Sequence, residues 1–195
     1  MQDFICKNPT NAQIISIGAG YDTRYYRLNR FNATYFEIDF PHLIESKKRI
    51  LAKNKIHPIP NMIGMDLSQY NFDFDSSKPT LVLAECLLPY LNLNCSCSLL
   101  KYFAKFPNCV FISFDMINPF DYFGKRMVLN LTSSYEIKLD GLLEFSSVEK
   151  MKFRYLNSSW KECTCKTMFD IWNEMFSDKK RYFSFIILAF YQLNG

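Results

Sequence analysis

The chain has 195 residues, of which 49% are apolar and 22% charged, which excludes a disordered polymer and fits one domain large enough to bury a core. A net charge of +4, without long basic stripes, argues against a nucleic-acid partner, and the longest apolar run, residues 183–191, is too short to span a bilayer. No apolar leader follows Met1, and the seven cysteines are odd in number and lack a C-x-x-C spacing; this points to reduced thiols in the cytoplasm.

Short apolar runs alternate with segments of helical period. The first run, residues 14–17, ends in Gly18-Ala19-Gly20, and Asp22-Thr23 follows as a helix start. A second run over 34–38 ends in Asp39, and Pro41 takes a first-turn position in a helix over 41–54. A third apolar stretch, 59–65, leads into Asp66-Leu67. The fourth, 80–84, leads into Glu85-Cys86. A helix over 93–106 has Asn92 or Asn94 as its cap, and a fifth strand over 110–114 leads to Asp115. Helices over 121–133 and 146–156 follow. Near-continuous apolar runs are how strands read when both faces are buried in a parallel sheet, so the alternation predicts an α/β fold with right-handed crossovers. The last third changes character: a strand over 160–167, a short helix over 170–176 and a strand over 183–193 suit an antiparallel edge hairpin.

Some charged and reactive residues read as ordinary. Lys47-Lys48-Arg49 and Lys179-Lys180-Arg181 read as a solvated helix face and a charged loop. Cys95-Ser96-Cys97 and Cys163-Thr164-Cys165 have no histidines nearby and read as buried or half-buried thiols, with no metal expected. His42 and His57 read as surface or helix-start residues.

In an open parallel sheet, ligands lie beyond the carboxyl ends of the strands, near the reversal in strand order. Gly18, Ala19, Gly20, Asp39, Asp66, Glu85 and Asp115 all fall there. The turn is G-A-G and not G-x-G-x-x-G, which points away from a pyrophosphate cofactor and toward one without phosphates, S-adenosylmethionine. That ligand is cationic and carries a ribose diol, an adenine amine and an α-amine, which suits acids at strand tips. Asp39 suits the diol. Asp66 suits the adenine amine, with the Leu67 amide as donor to the ring. Glu85 suits the α-amine or the surroundings of the sulfonium.

Four segments in order then resemble leucine carboxyl methyltransferases: Ile17-Gly18-Ala19-Gly20-Tyr21-Asp22-Thr23-Arg24-Tyr25-Tyr26-Arg27-Leu28, Tyr35-Phe36-Glu37-Ile38-Asp39-Phe40-Pro41, Leu83-Ala84-Glu85-Cys86-Leu87-Leu88-Pro89-Tyr90-Leu91, and Phe114-Asp115-Met116-Ile117-Asn118-Pro119-Phe120-Asp121-Tyr122-Phe123-Gly124. The resemblance runs from about Ile14 onward. It implies a Rossmann-like class I methyltransferase with a seven-stranded, mostly parallel sheet, and S-adenosylmethionine held by Gly18, Asp39, Asp66, Leu67 and Glu85. Its implied substrate is the C-terminal leucine of the type 2A protein phosphatase catalytic subunit. Arg27 matches an arginine of the family's first motif.

The family also carries an N-terminal helical lid with basic residues that grip the cofactor's carboxylate. Residues 1–195 are therefore expected to form a single methyltransferase domain without the lid, acting as a monomer on a protein tail. Lys7 is the one basic residue before Gly18, so the chain is expected to fold but to bind the cofactor weakly and methylate poorly; normal turnover would mean that Lys7 or Arg24 has taken over the grip. Methylating a carboxylate that is already ionised needs no general base, which suits a chain with two histidines and no triad. Arg24, Arg27 and Tyr90 are candidates to orient the incoming carboxylate. A relative of similar domain acts on the wybutosine base of transfer RNA, and a lidless binder without activity is the third reading.

Overall fold

A computed structural model describes residues 2–8, 11–28, 32–135 and 137–175. Five parallel strands make one sheet: β1 (Ala12–Ile17), β2 (Ala33–Asp39), β3 (Asn61–Gly64), β4 (Thr80–Glu85) and β5 (Cys109–Phe114), in the spatial order β3-β2-β1-β4-β5. The order reverses between β1 and β4, so a crevice opens between their carboxyl ends. Ile15 pairs with Phe36 on one side and Val82 on the other, which fixes the register of the three central strands.

Helices α1 (Gln2–Lys7), α2 (Arg24–Leu28), α3 (Pro41–Lys53), α4 (Leu93–Ala104), α5 (Tyr122–Tyr135), α6 (Asp140–Glu144), α7 (Val148–Leu156) and α8 (Met168–Met175) complete the described chain. Local chemistry sets several of their starts. Pro41 occupies the first turn of α3. The Asn92 side chain caps α4 by accepting from the Cys95 amide at 2.9 Å, and Ser147 caps α7 through the Lys150 amide at 3.3 Å.

Side chains along each strand alternate between two cores. Ile15, Ile17, Ile38, Val82, Ala84 and Phe111 meet Leu99, Leu100 and Phe103 of α4 and Met151 and Tyr155 of α7. Ala12, Ile14, Tyr35, Leu81, Leu83 and Val110 meet Phe4 and Ile5 of α1 on the other face. Each large aliphatic side chain buried this way contributes about 1.5–3 kcal/mol. The abundant aromatics have a place as well: Tyr70, Phe72 and Phe74 pack on Tyr102 and Phe103 of α4 in a run of ring contacts.

Helix α1 was not legible beforehand. It is short, and only Phe4 and Ile5 mark it as structured. It packs at the amino edge of the sheet, since Asn108, which precedes β5, donates to the Asn8 side chain at 3.4 Å.

Three expectations are corrected. The sheet has five strands among the described residues, not seven. Residues 160–167 form no strand beyond one bridge residue, Lys166. The segment is instead tied to two helices: the Trp160 indole donates to the Leu100 carbonyl of α4 at 3.1 Å, and the Cys165 thiol donates to the Val148 carbonyl of α7 at 3.4 Å. The third correction concerns Lys47, which is not on a solvated face but is 3% exposed in the interior. The strand expected over 183–193, and with it the hairpin, lies outside the described residues, as does Lys179-Lys180-Arg181.

Candidate active site

The site forms where β1 and β4 part. Beyond β1 the chain turns through Gly18 and Gly20, both left-handed, at φ of 65° and 46°. An L side chain at such φ is strained by about 1–2 kcal/mol, and a Cβ on Gly18 would sit 3.1 Å from Leu87 Cδ1. The turn is tied to its neighbour strand: the Ala19 amide donates to the Ile38 carbonyl at 3.1 Å, and the Gly20 amide donates to Asp39 Oδ2 at 2.6 Å. Asp39 Oδ1 accepts from the Phe40 amide at 2.7 Å. The Asp39 carboxylate at the tip of β2 is thus fixed in direction, and each oxygen keeps a lone pair for another donor.

A cleft of about 630 Å³ opens beside this turn, lined on the β1 side by Gly18, Ala19, Asp22, Arg24 and Arg27 and on the β4 side by Glu85 and Cys86. Arg24 spans it. Its Nε meets Asp22 Oδ2 at 2.6 Å, and its Nη2 meets Glu85 Oε2 at 2.8 Å. Burial works against the Arg24 charge, but Asp22, by charge and hydrogen bond, and then Glu85 outweigh it and raise its pKa. Cys86 adopts a left-handed φ of 50° at the cleft wall. Burial first, then Asp115 and Glu85, push its thiol up to about 11, so it stays protonated and is no nucleophile at neutral pH.

Of the residues singled out from sequence, the cleft gathers Gly18, Ala19, Arg24, Arg27 and Glu85, and Asp39 joins through Gly20. Asp66, Leu67 and Tyr90 lie outside the cleft wall. Asp66 sits beyond β3, where its carboxylate accepts from the Ser68 amide at 2.8 Å and caps a short 3₁₀ turn over Leu67–Gln69. Leu67 is buried in the core. Tyr90 ends a second 3₁₀ turn, Leu88–Tyr90, and burial, then Cys86 and Asp115, raise its phenol pKa. Lys7 stands at the far, amino edge of the sheet with α1, away from every strand tip that forms the site.

Sequence reasoning missed the buried Lys47–Glu37 pair, and it placed Asp115 at a strand tip without showing that it is buried. Lys47 of α3 reaches Glu37 on β2 and the Asp22 carbonyl, each at 2.6 Å. Asp115 is fully buried beyond β5, and burial pushes its carboxyl up to about 6. Ser113 and the Leu87 and Leu88 amides lie near enough to favour its charge, yet neither oxygen makes a hydrogen bond of good geometry. The available signals were an acid between Phe36 and Ile38 in a doubly buried strand, and an acid that directly follows one. Among the described residues, no group of His, Cys, Asp and Glu could hold a metal ion, and no helix is long and apolar enough to cross a membrane.

This geometry has parallels. PigF, solved with SAH, superposes with a TM-score of 0.64 at 11% identity, covering 93% of this chain and 50% of that one. The S-adenosylmethionine-dependent methyltransferase SibL in its apo form gives 0.60 at 12% identity, covering 98% of this chain and 52% of that one. At such identities the likeness is one of fold. In sequence, leucine carboxyl methyltransferase 1 of Bos taurus is 29% identical over 206 residues, 88% of this chain and 62% of that protein. The tRNA wybutosine-synthesizing protein 4 of Rattus norvegicus is 27% identical over 209 residues, 90% of this chain and 30% of that protein. The chain thus spans less than two thirds of the length of either relative. The family model described as leucine carboxyl methyltransferase matches residues 2–104, just over half the chain, including the glycine turn and the tips of β2, β3 and β4. By that match the chain belongs to the leucine carboxyl methyltransferase family.

Proposed function

We propose that the chain is an S-adenosylmethionine-dependent methyltransferase that esterifies a C-terminal leucine carboxylate, with the type 2A protein phosphatase catalytic subunit as its substrate. The observation that carries this reading is the donor set: a left-handed glycine turn whose Gly20 amide is held by the strand-tip acid Asp39, facing Glu85 across the crevice. Acids at strand tips fit a cationic nucleoside with a free diol, where a pyrophosphate would call for amides and lysines. Asp39 takes the ribose hydroxyls on its remaining lone pairs. Gly18, Ala19 and Gly20 let the backbone approach the ligand, Asp66 and the Leu67 amide take the adenine, and Glu85 takes the α-amine.

Bound there, the cofactor supplies a methyl group activated on a sulfonium. The protein's task is then to place a carboxylate in line with it. A C-terminal carboxyl has a pKa of about 3.5 and is ionised at neutral pH. With the cofactor bound, its oxygen would take the methyl group as the methyl's bond to sulfur breaks, and no residue of the chain would need to move a proton. Arg27 on the cleft wall and the neutral phenol of Tyr90 orient that carboxylate, and desolvation and positioning supply the rate. The enzyme works as a monomer in the cytoplasm, where its cysteines, all seven of them free thiols, stay reduced.

A second reading has support in the similarity to the wybutosine-synthesizing protein: a methyltransferase acting on transfer RNA. Labelled methyl transfer separates the two. The substrates are a phosphatase-tail peptide ending in leucine, the same peptide amidated, the intact phosphatase and transfer RNA. The proposal expects label in the free-acid peptide or the phosphatase and none in the amide. Label in transfer RNA alone would replace it with the second reading.

A further inference from the structure

We infer that Arg24 and Glu85 form a clamp for a zwitterion: in this structure each holds the other across the crevice, and the amino-acid end of the methyl donor exchanges with them, its carboxylate pairing with Arg24 and its ammonium with Glu85. The inference rests on the cofactor reading above and adds to it the group that binds the cofactor's carboxylate.

The order of the strand tips sets the direction. Along the carboxyl edge the acids and the glycine turn follow the sheet order: Asp66 after β3, Asp39 on β2, the turn after β1, then Glu85 on β4. A nucleoside with its base toward Asp66 and its diol on Asp39 must send its remaining substituent over the glycine turn toward β4. That places an ammonium and a carboxylate at the 2.8 Å contact between Arg24 and Glu85.

Of the cations that the sequence offered, Lys7 is removed by topology, because it is at the amino edge of the sheet, and Arg27 on the cleft wall stays as the rival that the test addresses. Arg24 is also prepared for the exchange. Asp22, 10% exposed, grips its Nε at 2.6 Å, so the guanidinium stays in place when Glu85 releases Nη2. Glu85, at 52% exposure, is half in solvent, and a half-exposed ion pair is weak enough to trade for a ligand ion pair. Trading one ion pair for two gives the cleft a preference for ligands that carry both charges.

The test compares S-adenosylhomocysteine, which has the amino-acid end, with methylthioadenosine, which lacks it, by calorimetry on the full chain. The wild-type protein should bind the first at least about tenfold more tightly, the scale of a charge-assisted hydrogen bond. Arg24→Gln and Glu85→Gln should each compress that ratio toward one while leaving the methylthioadenosine affinity within about twofold. A retained ratio in both variants overturns the clamp and leaves the cofactor site standing. Compression by Arg27→Gln and not by Arg24→Gln overturns it in favour of the exposed arginine. If the wild-type chain binds neither nucleoside, the cofactor reading fails and the clamp fails with it. Circular dichroism checks that each variant folds. Arg24→Lys, which keeps the charge without the fork, should give an intermediate ratio.

Discussion

Lys47 of α3 donates to Glu37 of β2 at 2.6 Å, in the interior and directly under the turn that carries the site. The same ammonium donates to the Asp22 carbonyl at 2.6 Å, so one side chain joins the second strand, its following helix and the loop after the first strand. Burial raises the Glu37 pKa, and the hydrogen bond and charge of Lys47 oppose it. Glu37 Oε1 is buried without a hydrogen-bond partner, so the pair is not fully satisfied. Such a pair positions more than it stabilises, because desolvation takes back most of its attraction.

Breaking it from one side should be costly. Lys47→Met strands a buried carboxylate and is expected to lose about 3–5 kcal/mol in urea denaturation. Lys47→Met combined with Glu37→Leu should recover most of that loss, since no charge is left unpaired. The double variant should still bind S-adenosylmethionine more weakly than wild type, because the Asp22 loop has lost its tie. A double variant as unstable as the single one would show that the two charges are not coupled.

Asp39 has two duties that can be separated. Asp39→Ala removes the acceptor for the Gly20 and Phe40 amides and should cost about 1.5–3 kcal/mol of stability as well as cofactor affinity. Asp39→Asn keeps one acceptor oxygen but sets its NH2 against the other backbone amide, so it should lose about 1–3 kcal/mol of stability, while affinity falls about tenfold or more. Thermal melts paired with calorimetry read both. Equal affinity of the Asn variant and wild type would remove Asp39 from the ligand site.

Gly18 is held by conformation and by space. Gly18→Ala must adopt φ of 65° with its Cβ 3.1 Å from Leu87, and should lose at least about 1–2 kcal/mol. Gly18→Val adds branching and should abolish cofactor binding while circular dichroism stays native-like. A valine variant that binds normally would show the turn to be structural only.

The legible parts of the molecule were those whose causes are local. Ile14–Ile17 and Thr80–Ala84 read as buried strands because they are near-continuous apolar runs, and Asn92 or Asn94 read as the cap of α4 because a cap acts within three residues; Asn92 takes that place. The individual strand-tip acids were legible for the same reason. Their pairing was not: Arg24 meets Glu85 across 61 residues of sequence, and only the reversal in strand order brings them together. Lys47 looked solvated because Lys48 and Arg49 follow it, yet helical rotation turns the first of the three inward. Residues 160–167 looked like a strand from their alternation in sequence, yet the side chains they bury, Trp160 and Cys163, are three residues apart, and hydrogen bonds to α4 and α7 hold the segment instead of a neighbouring strand.

The last prediction concerns pH and Asp115. Its carboxyl is fully buried and pushed up to about 6, mainly by burial. Arg154 lies close enough to oppose that shift, but its own guanidinium is engaged elsewhere: Nη2 donates to the Leu88 carbonyl at 3.2 Å, and Cζ lies 4.2 Å from the centre of the Phe145 ring. An acid whose folded pKa exceeds its unfolded value of about 3.9 contributes its full stability below pH 4, where both states are protonated. As pH rises from 4 to 6, the unfolded chain releases the proton and the folded chain keeps it. Stability therefore falls, and above about pH 6 the loss is complete. Between pH 5 and pH 7 this one group should remove about 1 kcal/mol. Asp115→Asn keeps the shape and cannot ionise, so its stability should fall less over that interval than wild type by the same amount. Urea midpoints for both proteins at pH 5, 6 and 7 measure the difference directly. Parallel curves would mean that Asp115 finds a partner that keeps its carboxylate charged in the folded state.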